Sequence, residues 1–435
     1  MLMLRRIGLP LADIPPILYS LKSMNIALFS DSYLPTKSGI VTVVVQLRKI
    51  LTELGHHVVI VTVGSHESKK EEGMDPDILR VYSIPSPCGE NQYIGFPHKK
   101  KVVEFLKKNN IEIIHSHTEF YIAHAAKQAG RALHIPVIAT THTMWEDFYR
   151  FYLPMGRIIP VKVVRKIVWR VYKKFYAFIN VSEKAKDYFK EPFMLPGIPS
   201  AIIPNAIDTK AFLSRKCSEE DRMNIRRSWG IEPDEQLLLF VGRVVEEKRV
   251  EELYTICVNV LRQREKVKVM FVGSGGAIYA LEKRARKDGL ENRIIFTGFV
   301  NWDNLSSYYG IGNIFITASL SEMHSMTALE ALLSHLPVVC RKDESFFDTV
   351  YHGENGYLAD TDEELENYII ELLDDPAKQK VFGEKSYEIS KNFSMRTHGL
   401  RTVEFYKCVL EHYPWPVSDA ELQAAVDAVV RVEDA

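Results

Sequence analysis

The sequence predicts an α/β protein whose parallel sheets are covered by helices on both faces. Short apolar runs alternate with segments of helical periodicity, and this alternation restarts after about residue 200. With 435 residues, the chain is also too long for one compact core, so two domains are expected. No run of about eighteen uncharged apolar residues predicts a transmembrane helix.

The first half of the chain has the pattern of a doubly wound sheet. A helix predicted from 40 to 54 separates the first two strands and ends before Gly55, a residue type common just beyond helix ends. Proline and asparagine at 204–208 interrupt the periodicity and indicate a linker. Strands are predicted at 25–30, 58–63, 111–115 and 136–141.

The second half repeats this architecture without repeating the sequence in detail, and it includes a helix predicted at 250–264. Two Rossmann-like domains, 24–204 and 205–393, are expected to face each other across a cleft. Open sheets of this kind bind ligands beyond the carboxyl ends of their strands. Strands are predicted at 237–241, 267–272, 294–297, 314–317 and 337–340.

Both ends of the chain lie outside these domains. Residues 1–23 weakly resemble a signal peptide, but Asp13 and three prolines break the apolar run, so we interpret them as an N-terminal extension. The tail, 414–435, is expected to form one short amphipathic helix after Pro416. The five cysteines stand far apart, without metal-ligand spacing, as expected for reduced thiols in a cytosolic protein.

The segment 319–333 is the most specific chemical feature. It follows the predicted strand 314–317 and opens a helix near Ser325, so that backbone N–H groups at Met326 and Thr327 would point into the cleft. Such groups at a helix N-terminus bind phosphate. Glu330, in the same helix, is suited to accept hydrogen bonds from sugar hydroxyls, although an acidic side chain near a helix start is favourable in any protein.

A second feature is a charged loop after the strand 237–241. Arg243 and Lys248 on this loop could clamp a diphosphate without a metal ion and stabilise the charge that develops as it departs. An ordinary charged turn is the alternative. Gly242 and Gly275 belong to loops whose backbone could approach a nucleotide closely, and the first strand lacks the GxGxxG pattern of nicotinamide enzymes.

Together these residues resemble glycosyltransferase family 4, a group of retaining enzymes with the GT-B fold. The resemblance extends from Met24 to about Tyr413, and Glu322 and Glu330 have the family's spacing. Ordered matches at several places are more specific than any single motif. They lie at 29–35 with Gly39, 55–56, 181–184, 203–208, 242–248 and 296–298.

The resemblance implies roles for individual residues. Arg243 and Lys248 would hold the donor diphosphate, Glu330 the ribose, and Glu322 sugar hydroxyls near the reacting carbon. Gly39 would let an N-terminal loop approach the phosphates.

His142 would contact the donor sugar, whereas a histidine after a buried strand is otherwise most often structural. The family needs no protein nucleophile, no metal and no cofactor beyond its nucleotide-sugar substrate. A crossover helix at 394–413 would return to the N-terminal domain.

Some residues depart from the family pattern and leave the donor sugar open. Ala206, Gly276 and His335 differ from the usual residues, as does the segment 323–325. Asp360 and Asp362 resemble a metal-binding pair but precede a helical run, so a helix cap is predicted instead.

The acceptor side is predicted from a basic helix at 160–178. Its profile is typical of a helix lying on an anionic membrane surface, and the alternative is a core-packed helix with a solvated basic face. Trp169 adds an amphipathic ring. The basic residues share one broad face: Lys162, Arg165, Lys166, Arg170, Lys173 and Lys174.

The segment 141–152 is similar to the branch of the family that glucosylates diacylglycerol, and its Glu146 and Asp147 lie either near the acceptor or at the surface. We therefore expect a cytoplasmic enzyme on the inner face of the cell membrane that moves a hexose from UDP-glucose or UDP-galactose to a lipid. No nucleic acid and no protein partner are predicted. A transferase for soluble acceptors and a nucleotide-sugar epimerase remain alternatives. A catalytically silent binding protein would not need Arg243, Lys248, Glu322 and Glu330.

Overall fold

The computed structural model describes residues 23–36, 38–65, 68, 74–86, 93–119, 121–152, 156–191, 197–214 and 218–429. Nearly all of the predicted N-terminal extension, and the last residues of the predicted tail, therefore lie outside the described residues. The segment 192–196, which precedes the predicted linker, lies outside them as well.

Within these ranges the chain alternates between strands and helices, as predicted. The strands are β1 Asn25–Ser30, β2 His57–Val63, β3 Ile78–Val81, β4 Ser83–Pro85, β5 Tyr93–Gly95, β6 Ile113–Ser116, β7 Val137–Thr141, β8 Phe178–Asn180, β9 Ser200–Ile202, β10 Gln236–Val241, β11 Val267–Val272, β12 Ile294–Gly298, β13 Ile314–Thr317, β14 Val338–Arg341 and β15 Gly356–Ala359.

The α-helices cover both faces of the sheets. They are α1 Gly39–Glu53, α2 Lys99–Lys108, α3 Tyr121–Leu133, α4 Trp145–Tyr152, α5 Val161–Tyr172, α6 Glu183–Lys190, α7 Thr209–Leu213, α8 Glu219–Ser228, α9 Val250–Gln263, α10 Ile278–Asp288, α11 Trp302–Ile311, α12 Met326–Leu333, α13 Asp362–Asp374, α14 Pro376–Ser390, α15 Met395–His412 and α16 Asp419–Asp427.

The N-terminal sheet is parallel, with strand order β3-β2-β1-β6-β7-β8-β9. Phe29 in β1 pairs with Val61 on one side and Ser116 on the other. One face packs against α2, α3 and α5, and the other against α1 and α15. Burial on both faces explains why the strands read as nearly continuous apolar runs.

The C-terminal sheet is also parallel, with strand order β12-β11-β10-β13-β14-β15. Helices α9, α10 and α13 cover one face, and α11 and α12 the other. In each sheet the order reverses beside the first strand, β1 or β10, and ligands bind at such a switch point. The predicted fold, two Rossmann-like α/β domains, is confirmed.

The chain finally returns to the N-terminal sheet. Helix α15 contributes Val403 and Phe405 to the core beneath α1, and α16 adds Leu422 to the same core. The short helix predicted after Pro416 is confirmed as α16.

One helix prediction was wrong at its end. The helix expected at 160–178 stops at Tyr172, because Phe178 begins the short strand β8. That strand is buried between β7 and β9, and the turn at 173–174 brings the chain back to the sheet. Long-range strand pairing outweighs the local helical periodicity here.

Candidate active site

The carboxyl ends of β10, β11 and β13 bring the predicted donor residues together. Gly242 follows β10, and the loop after β11 folds against the loop after β10. A Cβ at Gly275 would lie 2.1 Å from the carbonyl oxygen of Val244, which no side chain tolerates. Gly275 was expected to give access to a nucleotide; here its small size is required for the two loops to pack.

Two cations and two carboxylates meet beside this loop. Lys248 Nζ lies 2.7 Å from Glu322 Oε1 and 3.6 Å from Glu247 Oε1. Arg243 lies 3.0 Å from Glu247 Oε2. The Lys248 side chain is only 13% exposed, whereas that of Arg243 is 55% exposed. The structure therefore places Lys248 inside the site and Arg243 at its rim.

Glu322 is held as a carboxylate. Its burial alone would raise its pKa, but the Lys248 ammonium and the hydroxyl of Ser319, which donates at 2.9 Å, lower that pKa below its usual value. An ionised side chain at this position can accept hydrogen bonds from ligand hydroxyls.

Helix α12 begins where the sequence predicted. Ser325 caps it by accepting a hydrogen bond from the Ala328 N–H. Met326 and Thr327 form the first turn, whose N–H groups have no acceptor within the helix. Glu330 is buried one turn later and accepts a hydrogen bond from the Tyr309 hydroxyl at 2.8 Å. Burial raises the pKa of Glu330 to about 7.

On the N-terminal side, His142 follows β7 and its Nε2 lies 3.4 Å from His117 Nδ1. Burial and the nearby His398 lower its pKa to about 4, so the ring is neutral near pH 7. Gly39 begins α1, and a Cβ there would have nothing within 4 Å, so packing does not require glycine.

Direct contacts join the two domains at this site. The Ser182 hydroxyl donates to the Met323 carbonyl at 2.6 Å. Lys184 donates to the Asp343 carboxylate at 2.7 Å and to the Leu320 carbonyl at 2.9 Å. Sequence reasoning included Lys184 in a family motif but gave it no role, because the position of Asp343 was not visible in the sequence.

The structure separates the two predicted acceptor residues on α4. Glu146 pairs with Arg165 at 2.9 Å and accepts a hydrogen bond from the Tyr188 hydroxyl, so it ties α4 to α5 and α6. Burial and the nearby Glu247 carboxylate raise the pKa of Asp147. Asp147 therefore lies within electrostatic reach of the C-terminal domain.

Helix α5 presents the predicted basic face to solvent, and Val164, Val168 and Tyr172 face the core. Arg165 is the exception because it pairs with Glu146 and, at 2.5 Å, with Glu191. The Lys173 ammonium lies 4.2 Å from the centre of the Trp169 ring. The exposed members of this face are Lys162, Lys166, Trp169, Arg170, Lys173 and Lys174.

An exposed aromatic cluster was missed by the sequence analysis. Tyr82, Phe96 and Tyr121 form it, with neighbouring ring centres 6.1 and 6.0 Å apart. Tyr82 and Tyr121 follow β3 and β6 of the N-terminal sheet, and Phe96 follows β5, which belongs to the separate two-stranded antiparallel sheet β4-β5. Exposed lysines at 99–101 begin the adjacent helix α2. Widely separated single rings give no sequence signal for such a cluster.

The aspartates at 360 and 362 form a helix start, as predicted: Thr361 caps α13 and Asp362 pairs with Arg249 at 2.9 Å. Within the described ranges, no three or more His, Cys, Asp or Glu side chains form a metal-binding group. No helix of that part of the chain is long and apolar enough to cross a bilayer.

Comparisons with known proteins agree with this geometry. Residues 37–211 match the family Glycosyltransferase Family 4, and residues 221–389 match Glycosyl transferases group 1. An alpha-monoglucosyldiacylglycerol synthase from Streptococcus pneumoniae is 29% identical over 88% of this chain and 85% of its own length. One from Acholeplasma laidlawii is 27% identical over 81% of this chain and 89% of its own.

Among solved structures, HepE from Anabaena, crystallised in complex with UDP, superposes with a TM-score of 0.71 at 18% identity. The match covers 88% of this chain and 100% of HepE, which supports the fold. The two family matches cover both domains and most of the chain. This protein belongs to glycosyltransferase family 4, with the GT-B fold.

Proposed function

We propose that this protein is a retaining glycosyltransferase that moves a hexose from UDP-glucose or UDP-galactose to a hydroxyl group of a membrane lipid such as diacylglycerol. The observation that carries the proposal is the donor cluster, defined as Arg243, Lys248, Glu322 and the N-terminal turn of α12. It combines cations, free N–H groups and an ionised acceptor at the carboxyl ends of parallel strands. Two relatives named alpha-monoglucosyldiacylglycerol synthases support the lipid acceptor.

The donor diphosphate would bind between Lys248, Arg243 and the α12 N-terminus. Lys248 forms an ion pair with Glu322, and a bound diphosphate would also interact with the Lys248 ammonium group. As the bond from the anomeric carbon to the diphosphate breaks, negative charge grows on the departing oxygen, and fixed cations stabilise this state most. Glu330 would accept hydrogen bonds from the ribose.

Retention follows if the acceptor attacks from the face that the diphosphate leaves. The acceptor oxygen then forms the new glycosidic bond, and its proton passes to an oxygen of the departing nucleoside diphosphate. The chain supplies no nucleophile in this scheme and needs neither metal nor cofactor. His142 would contact the donor sugar as a neutral hydrogen-bond partner, because its pKa of about 4 leaves it unprotonated near pH 7.

The acceptor hydroxyl would lie near Asp147. Glu146, which shares α4 with it, is engaged by Arg165 and Tyr188, whereas Asp147 is near both Glu247 and Lys184. Asp147 is therefore the better placed of the two to hold an acceptor between the domains.

Binding to a bilayer would involve the exposed face of α5. Its cations suit an anionic surface, and Trp169 suits the interfacial region. The aromatic cluster and the lysines at 99–101 add exposed amphipathic and basic groups to the N-terminal domain. We therefore propose peripheral attachment to the cytoplasmic face of the cell membrane.

The test is UDP release from UDP-glucose and UDP-galactose in the presence of anionic vesicles with and without diacylglycerol. We expect diacylglycerol to raise turnover and to appear as glycosylated lipid. Arg243→Met should lower turnover about 100-fold, within the range for loss of one charge-stabilising group. Arg286→Met, on the exposed surface of α10, is the matched control.

Two other outcomes would redirect the proposal. UDP release that ignores lipid but responds to soluble sugars would keep the transferase and reject the lipid acceptor. Interconversion of the two donors without any transfer would indicate an epimerase.

A further inference from the structure

His117 is a buried histidine behind His142 for which neither the sequence nor the family resemblance provided a role. It follows β6 and is 1% exposed. Its ring lies between two others, with centres 4.1 Å from that of His115 and 5.7 Å from that of His142. Its Nδ1 lies 3.4 Å from His142 Nε2, at the long end of a hydrogen bond.

Both rings of this contact are neutral. Burial, followed by neighbouring imidazoles, lowers the pKa of His117 well below its usual value, and burial lowers that of His142 to about 4. For two neutral rings to form a hydrogen bond here, one of the two facing nitrogen atoms must carry a hydrogen and the other must not. Either His142 Nε2–H donates and leaves its Nδ1 as an acceptor, or His117 Nδ1–H donates and His142 carries its proton on Nδ1.

The surroundings of His117 Nε2, on the other side of the ring, determine which of these two proton arrangements is favoured. His117 Nε2 and Asn205 Oδ1 are both buried, and neither has a hydrogen-bond partner among the described residues. Both residues line a cavity of about 10 Å³, about the space needed for one water.

His398 lines the same cavity. Its Nδ1 must donate to the Pro204 carbonyl at 2.8 Å, which leaves its Nε2 as an acceptor.

A hydrogen balance follows for a water in this cavity. Its two hydrogens can go to the two acceptors, Asn205 Oδ1 and His398 Nε2. The water oxygen can then accept a hydrogen bond, and Nε2 of His117 donates that hydrogen bond if it carries the proton of the ring. With Nε2 protonated, His117 Nδ1 is an acceptor, and it accepts a hydrogen bond from the Nε2–H group of His142.

We infer that His117 is a positioning residue that holds His142 with its proton on Nε2, so that His142 Nδ1 accepts a hydrogen bond from one hydroxyl of the donor sugar. This inference rests on the proposed function, because the donor sugar is the ligand assigned to His142. It adds a specificity element: the site demands a hydrogen-bond donor at one position of the sugar. A donor sugar with hydrogen or fluorine there would lose the contact equally, since neither group donates.

The first test is ¹⁵N NMR of the full-length protein with labelled histidines, in which His142→Gln identifies the His142 signals. We expect Nε2 of His142 to carry the proton and Nδ1 to have the shift of a bare ring nitrogen. The proton on Nδ1 would overturn the inference. This measurement needs no lipid and no turnover, so it stands even if the proposed acceptor is wrong.

The second test compares UDP-glucose with its four mono-deoxy analogues. In the native protein the analogue without the hydroxyl bound by His142 should lose about 3- to 10-fold in kcat/KM, the range for one neutral hydrogen bond. Losses at hydroxyls assigned to Glu322 should not depend on His117. His117→Leu should lower kcat/KM for UDP-glucose by the same factor and leave that analogue unchanged. His117→Asn, which offers an amide oxygen near the place of Nδ1, should restore the discrimination.

An equal loss for every donor in His117→Leu would indicate a packing role only and would overturn the inference. If His117→Leu does not fold, Asn205→Leu serves instead, since it removes one acceptor from the cavity. We expect it to move part of the proton population to His142 Nδ1 in the NMR spectrum, and an unchanged spectrum would contradict the proposed hydrogen balance. A protein that binds no UDP-sugar would disprove the proposed function and leave the NMR result intact.

Discussion

Glu330 carries a carboxyl group whose ionisation falls within the physiological range. Burial raises its pKa to about 7, and the Tyr309 hydroxyl stabilises the carboxylate only partly. A carboxylate accepts hydrogen bonds from ribose hydroxyls more strongly than a protonated carboxyl group does, so protonation of Glu330 should weaken donor binding. At pH 6 a group with this pKa is about ten parts protonated to one part ionised.

We therefore expect the Kd of UDP-glucose to increase severalfold as the pH falls from 8 to 6. UDP-glucose itself suits the experiment because its diphosphate is esterified at both ends. Isothermal titration calorimetry across this range measures the effect, and Glu330→Gln should bind more weakly with little pH dependence. If the Glu330→Gln variant kept the same dependence of Kd on pH as the native protein, another titrating group would be responsible for it.

At the scale of the element, α5 carries basic residues in two different environments. Lys166 and Arg170 are exposed one turn apart, whereas Arg165 is 25% exposed and paired with two glutamates. A cation near an anionic bilayer contributes about 1 kcal/mol to binding. Lys166 and Arg170 are accessible for such a contact, whereas Arg165 is engaged by the two glutamates.

Lys166→Glu with Arg170→Glu should reduce binding to anionic vesicles by at least about tenfold, as measured by co-sedimentation. Lys283→Glu with Lys287→Glu makes the same change of charge on exposed positions of α10 and should have a much smaller effect. Arg165→Gln should instead lower the melting temperature and leave vesicle binding nearly unchanged. Equal losses for the two double variants would mean that only net charge matters.

At the scale of the whole molecule, a largely buried ion pair is one of the contacts that join the two domains at the cleft. Lys184 of α6 and Asp343 after β14 lie 2.7 Å apart, and their side chains are 11% and 12% exposed. Removing one partner leaves a poorly solvated charge. Each single change should therefore destabilise the contact between the domains by more free energy than the intact ion pair contributes.

We expect Lys184→Met and Asp343→Asn each to increase the radius of gyration in small-angle X-ray scattering and to lower kcat/KM about tenfold. Lys186→Met on the same helix, whose partner Glu183 is 66% exposed, should change neither. The double variant should be less impaired than the sum of the single changes. Additive effects would show that the two residues act independently.

Much of this architecture could be predicted from local sequence. The run at 25–30 is apolar throughout and became the buried strand β1 with the predicted bounds. Ser325 became the cap of α12 because a serine before an apolar helical run satisfies free N–H groups wherever it occurs. The end of α5 was mispredicted because Phe178 belongs to a strand whose neighbours, β7 and β9, lie elsewhere in the chain.

The sequence by itself determined the α/β class, the two parallel sheets and the residue types of the donor cluster, since these depend on periodicity and short motifs. The tertiary structure alone decided which charges meet. Lys248 and Glu322 are 74 positions apart, and Lys184 and Asp343 are 159 apart. Burial also raised the pKa of Glu330 to about 7 and left His142 neutral, and ion pairs with two glutamates engaged Arg165. The physical reason is that local sequence determines backbone preference, whereas solvation and ion pairing depend on neighbours that only the folded chain brings together.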